Sequence, residues 1–302
     1  MSAAAPASPL IRVGTAGWMY DDWEGIVYPP PRRGFDRLGF LASLFDTIEV
    51  NSTFYRIPPP SMTREWARRV GHNPRFLFTA KLYRGLTHER NATPDDRKAV
   101  GAAMEPLAEA GRLGCLLVQV PMSFHATPDN RRTLEGIFGD FPAFPLVAEF
   151  RHRSWDAPDT LALLEAAGAG FANIDQPRLA GNLPATAHVT GPVAYYRFHG
   201  RNAAKWFGPD TSNEERYDYL YSRREIEPWA ARIREGALRR PDASAFAVMN
   251  NHFRGQAVAN ALELQQMLTG EIRVAPESLR EAYPVLARVT APPPGAPQRN
   301  LF

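Results

Sequence analysis

Eight short apolar runs, separated by amphipathic stretches, constrain this chain more than any other feature. They fall at Ile11–Thr15, Thr47–Val50, Arg75–Lys81, Cys115–Val120, Leu146–Phe150, Gly170–Ile174, Ala194–His199 and Ala245–Asn250. Most are continuous and rich in Val, Ile, Leu and Phe, as in strands covered on both faces of a parallel sheet. Helix-like stretches lie between them at Phe35–Phe45, Met62–Val70, Pro94–Ala110, Asn130–Phe138, Pro158–Ala167 and Gln256–Leu268. This alternation predicts an α/β fold, a closed TIM-type (β/α)8 barrel rather than an open sheet. The sixth helix is expected to be weak or irregular, since Gln176–Pro192 lacks a convincing helical pattern.

A barrel of this kind runs to about 250 residues, so 302 residues suit a single domain. We place it over residues 10–290, with loose proline- and alanine-rich tails at 1–9 and 291–302. Thr93-Pro94 and Thr127-Pro128 mark helix starts, with a hydroxyl at the cap and proline at the first helical position. Ser222 and Glu225 have capping-box spacing, but Pro228 would then fall inside the helix, which favours a start nearer Pro228. Hydrophobic residues make up 44% and charged residues 22%, enough apolar material to exclude wholesale disorder. No apolar run reaches the roughly 20 residues of a membrane span, so no membrane partner is expected. The absence of a signal-like N-terminus and the single cysteine point to the cytoplasm. That cysteine, Cys115, reads as core. Lys plus Arg outnumber Asp plus Glu by 35 to 32, too small an excess to diagnose a nucleic-acid binder. Only Lys81, Lys98 and Lys205 are lysines. The arginine preference is compositional, and a lysine retained against it is a mild pointer to need.

The strand-end segments carry a resemblance. Gly14-Thr-Ala-Gly-Trp18, Asp22-Trp23, Tyr28-Pro29 and Glu49-Val-Asn-Ser-Thr-Phe-Tyr-Arg56 are followed by Lys81 with Thr87-His88. Gln119-Val-Pro-Met-Ser-Phe124, Glu149-Phe-Arg-His-Arg-Ser-Trp155, Tyr196-Arg-Phe-His-Gly200, Asn250-Asn251 and Ala257-Val-Ala-Asn-Ala261 complete the set. In this order they resemble domain-of-unknown-function family 72, the YecE-like proteins, over roughly residues 10 to 270. Met19 and Met122 depart from that pattern, where serine and a second proline are usual. The resemblance implies a TIM barrel and supplies no activity, so function has to be argued from the residues.

In such barrels chemistry sits at the C-terminal strand ends. Arg197, Arg201, Asn250 and Asn251 there suit an anion such as phosphate, with Arg254, Gly255 and the following helix start close by. The competing reading pairs Arg197 with Glu49 or Glu149 as a structural ion pair. Glu149, His199, Lys81 and Glu49 form the catalytic candidates for acid–base work. Lys81 could alternatively form a Schiff base or merely neutralise Glu49. Trp18, Asn51, Tyr55, Gln119, Arg151, His152 and Trp155 complete the expected substrate contacts. No metal is favoured; if a divalent ion were held, Glu149, Asp175 and His199 would be its ligands. No motif implies a cofactor: phosphate-loop, dinucleotide, zincin and nucleophile-elbow signatures are all absent. The long connection Arg201–Tyr221 has the length of a lid.

These residues favour an enzyme acting by acid–base chemistry on a small anionic, phosphorylated or sugar-like partner. The alternatives are a nucleic-acid-binding or phosphodiester-processing barrel, a divalent-metal sugar isomerase or epimerase, and a non-catalytic ligand-binding barrel. Nothing in the sequence sets the oligomeric state.

Overall fold

Eight parallel strands close on themselves in sequence order. They are β1 (Ile11–Ala16), β2 (Thr47–Val50), β3 (Leu77–Lys81), β4 (Leu113–Gln119), β5 (Leu146–Glu149), β6 (Gly170–Asp175), β7 (Val193–Phe198) and β8 (Ser244–Met249). Closure comes from β8 against β1, in register from Ile11 opposite Ala245 to Thr15 opposite Met249. The computed structural model describes residues 10–206 and 213–295. The expected N-terminal tail, residues 1–9, lies outside them, as do residues 207–212 of the expected lid and 296–302 of the expected C-terminal tail.

Helices α1 (Arg37–Leu44), α2 (Pro60–Arg69), α3 (Pro94–Glu109), α4 (Pro128–Asp140) and α5 (Pro158–Ala166) follow the first five strands. After β6 comes irregular chain, and the ring resumes with α6 (Arg223–Arg239) after β7 and α7 (Gln256–Thr269) after β8. Thr93 and Thr127 cap α3 and α4 by accepting from the N–H groups of Asp96 and Asn130. The start of α6 corrects the expectation near Pro228. Ser222 donates through its N–H and hydroxyl to Glu225 Oε2 at 2.9 and 2.8 Å, so the capping box sets the boundary. Pro228 then sits inside the helix, in its second turn, and removes one backbone bond there. At the C-terminus, β9 (Arg273–Val274) pairs with β10 (Thr290–Ala291). Ala291 is therefore strand, where a loose tail was expected. No described helix is long and apolar enough to cross a membrane.

The barrel interior is filled by strand residues, with Cys115, Val147, Tyr195 and Phe246 fully buried. Gly14 shows how tightly the ring closes. It pairs with Thr47 across β1 and β2, and a Cβ there would overlap the Thr47 carbonyl oxygen. Gly14→Ala is expected to cost about 3 kcal/mol or more, since a backbone atom cannot rotate aside as a side chain can. Urea denaturation measures it, and a midpoint matching that of the native chain would disprove the close approach.

Candidate active site

Strand alternation decides which polar residues face the barrel axis, because residues two apart share a face. Thr79 and Lys81 on β3, Glu149 and Arg151 from β5, and Tyr195, Arg197 and His199 from β7 are such sets. They converge above the apolar layers. Arg197 lies at the centre, 3% exposed. Its Nε donates to Glu49 Oε2 at 2.9 Å and its Nη2 to Glu49 Oε1 at 2.6 Å. Nη1 reaches both oxygens of Glu149, at 3.3 and 3.2 Å. Tyr195 donates to Glu49 Oε2 at 2.8 Å and lies 2.9 Å from the Thr79 hydroxyl. Glu149 also pairs with Arg151 Nη2 at 2.7 Å. The ion-pair reading of Arg197 thus holds with both carboxylates at once. Its fork is occupied, which removes it as a free anion clamp.

Burial alone would push the Glu149 carboxyl up, but Arg151 and Arg197 outweigh it and hold the group well below its ordinary range. His199 is fully buried, and burial followed by the two arginines keeps it well below the usual histidine value, hence neutral. Asn250 Nδ2 lies 3.0 Å from His199 Nδ1. With Nδ1 accepting from that amide, the proton sits on Nε2, 3.3 Å from Glu149 Oε1.

Lys81 contrasts with this saturated network. Among the described residues no carboxylate lies within ion-pair distance of it, which corrects the reading that it neutralises Glu49. Its Nζ sits 3.8 Å from the centre of the Phe54 ring. Burial, then the charge of Arg197, lowers its pKa from 10.5 to about 7. His88 packs edge-on to the same ring at 4.8 Å and is lowered to about 4, by burial and then by Lys81 and Arg151.

Above these groups opens a cleft of about 820 Å³. Asn51, Tyr55, Lys81, Gln119, Arg151, Arg197 and Asn250 line it. Glu49, Glu149 and His199 lie fully buried beneath, the two carboxylates bonded to Arg197 and His199 to Glu149. Phe54, His88 and His252 also line it, as do Met19 and Tyr217, which the expected contacts omitted. For Phe54 and His88 a signal existed, since both follow strand ends within the recognised motifs.

Five expected contacts and one expected ligand lie elsewhere. Trp155 is fully buried, stacked between Phe124 and Phe150, with its indole N–H donating to the Phe124 carbonyl at 2.6 Å. Trp18 packs edge-on against Trp66 at 5.7 Å. His152 stacks on His125 at 3.9 Å and holds Ser154. Asn251 donates to the Tyr219 carbonyl and to Asn260, tying the β7 and β8 connections together. Arg201 turns away at Gly200, whose φ of +87° suits glycine. It grips Asp175 through two bonds of 2.8 and 2.7 Å. Asp175 also accepts from Tyr221 and Trp229, so Glu149, Asp175 and His199 do not assemble as a ligand set.

Residues 12–282 match the family described as Protein of unknown function DUF72. The chain belongs to the DUF72 family. A DUF72 family protein of known structure from Thermotoga maritima MSB8 is 35% identical, with a TM-score of 0.75, over 86% of this chain and 99% of that one. A second, from Enterococcus faecalis V583, is 26% identical with a TM-score of 0.74, over 86% and 95%. The UPF0759 protein YunF of Bacillus subtilis is 29% identical, over 89% of this chain and 99% of its own length. DUF72 membership fixes the barrel and leaves the chemistry of its mouth to be read from the residues.

Proposed function

We propose that the barrel mouth is an active site that moves protons on a small anionic, sugar-like or phosphorylated compound, with Lys81 as the proton-transfer group. The observation that carries this reading is a lysine in the cleft wall with no carboxylate at ion-pair distance among the described residues and a pKa drawn down to about 7. A general base or acid works best with its pKa near the working pH, and structural lysines are normally paired and far more basic. Charge supports an anionic ligand. Glu49 and Glu149 are matched by Arg197 and Arg151, so a protonated Lys81 leaves the floor of the mouth positive, with Asp21 and Asp22 as the acidic groups of the cleft wall. Arg151, Gln119, Asn51 and Asn250 would hold the ligand's polar groups, and Tyr55, 61% exposed at the rim, offers a ring face for a sugar. In this reading Arg197 holds the two carboxylates in place, and neutral His199 orients Glu149.

Lys81, Lys98 and Lys205 are the only lysines, so each can be followed separately by mass spectrometry. In competitive acetylation across pH 5 to 10, Lys81 is expected to become reactive as pH rises through about 7. A midpoint near 10 would remove Lys81 from proton transfer. Screening phosphorylated sugars in D2O by NMR reads the chemistry itself. Deuterium should enter a carbon position of one of them with the native chain and not with Lys81→Met. Equal incorporation by both would reassign the base.

A further inference from the structure

A second cleft, of about 620 Å³, opens on the flank of the barrel beside the place where the sixth helix is missing. Its walls are the irregular chain after β6 and the first turns of α6. Arg178, Arg201, Arg224 and Arg232 line it, with Asp175 and Glu225 as the acidic groups. Both carboxylates are already engaged. Arg201 binds Asp175 at 2.7 Å and Glu225 at 3.2 Å, Trp229 and Tyr221 complete Asp175, and Tyr219 and Ser222 complete Glu225. That leaves Arg178, Arg224 and Arg232 with no carboxylate within ion-pair distance among the described residues. The Arg232 guanidinium lies 4.9 Å from the Trp229 ring centre, fixed against an aromatic face. Leu183, Pro177 and Pro228 give the same cleft an apolar wall.

We propose that this cleft is a second binding site, for an organic phosphate whose dianionic phosphoryl group is taken by Arg178, Arg224 and Arg232. Guanidinium forks match phosphoryl oxygens two at a time, and three unmatched cations in one concavity favour a multiply charged anion over chloride or a monocarboxylate. The apolar wall takes the organic part. A hydrogen bond of 3.3 Å from Arg151 to Gln176 Oε1 joins the two clefts, since Arg151 lines the mouth and Gln176 the flank. The flank site does not depend on the reading of the mouth, because none of its arginines reaches Lys81 or Glu149.

The test is isothermal titration of the full chain with phenyl phosphate at low and moderate salt, with Lys81→Met as the mouth control. Arg178 and Arg224 are exposed, so the double variant Arg178→Ser/Arg224→Ser is expected to fold, and circular dichroism checks it. Saturable binding is expected in the native chain, weakened at least tenfold in the double variant and unchanged in Lys81→Met. Charge reversal by Arg224→Glu should abolish it. No saturable binding, or equal affinity in the double variant, overturns the proposal. Loss in Lys81→Met with retention in the double variant does so too, by placing the anion in the mouth.

Discussion

Arg197→Ala is expected to destabilise the fold by about 3–5 kcal/mol, among the largest effects available to a single substitution here. The side chain is 3% exposed and stands between two carboxylates that are wholly buried. Truncation leaves Glu49 with only Tyr195 as a side-chain donor and strips Glu149 of one of its two arginines. An unpaired buried carboxylate either retains its desolvation penalty or takes up a proton. The variant should therefore be relatively more stable at low pH than the native chain. Folding stability by denaturant titration at pH 5 and 8 measures both parts. The companion Glu49→Gln, Glu149→Gln, Arg197→Met removes all three charges and should recover much of the loss, as buried ion triads often can be replaced by neutral groups. A loss under about 1 kcal/mol in the single variant would mean that the triad is solvated, against its observed burial.

Lys81→Met is expected to act in the opposite direction on stability and, under the proposed function, to abolish proton transfer. In the folded chain Lys81 loses its proton near pH 7, against 10.5 for an ordinary lysine. Below pH 7 both states carry the charge, and the folded state bears the full penalty of holding it in the cleft. Between pH 7 and 10.5 the unfolded chain binds more protons, so the penalty shrinks as pH rises. Methionine keeps the stem and drops the charge. The variant should gain about 2–4 kcal/mol at pH 6, and the gain should vanish towards pH 10.5. Thermal melts across pH read this without a substrate. A gain that does not change with pH would attribute it to packing. Lower stability at pH 6 would mean that Lys81 has a partner in solution. A residue that weakens the fold and yet occupies the cleft wall fits a stability–activity trade-off.

Much of the architecture was legible because burial imposes a pattern. Strands covered on both faces must be apolar along their length, and all eight were found within three residues of their observed ends. The missing sixth helix was visible too, since 176–192 contains no 3.6-residue periodicity. The site was partly legible for the same reason. Glu149 with Arg151, and Arg197 with His199, stand two apart at strand ends, and strand geometry alone sends such pairs to one face. Beyond the strand end that rule fails. Trp155 and Trp18 lie in the same motifs as true cleft residues, but loop packing turned one into a core stack and the other against Trp66. Arg201 follows Arg197 by four residues and points elsewhere, because the left-handed turn at Gly200 redirects the chain.

Periodicity, length and the ordered motifs determined from sequence that this chain is one (β/α)8 barrel with a polar mouth. Which charges meet was settled only by closing the ring. Glu49, Glu149 and Arg197 are brought together from β2, β5 and β7, and their spacing along the chain carries no record of that contact. The same closure buried Lys81 against Phe54 and near Arg197, with no carboxylate at ion-pair distance among the described residues, and so set its proton affinity. A pKa depends on distances to charges and on water exclusion, and both are properties of the assembled barrel rather than of any segment.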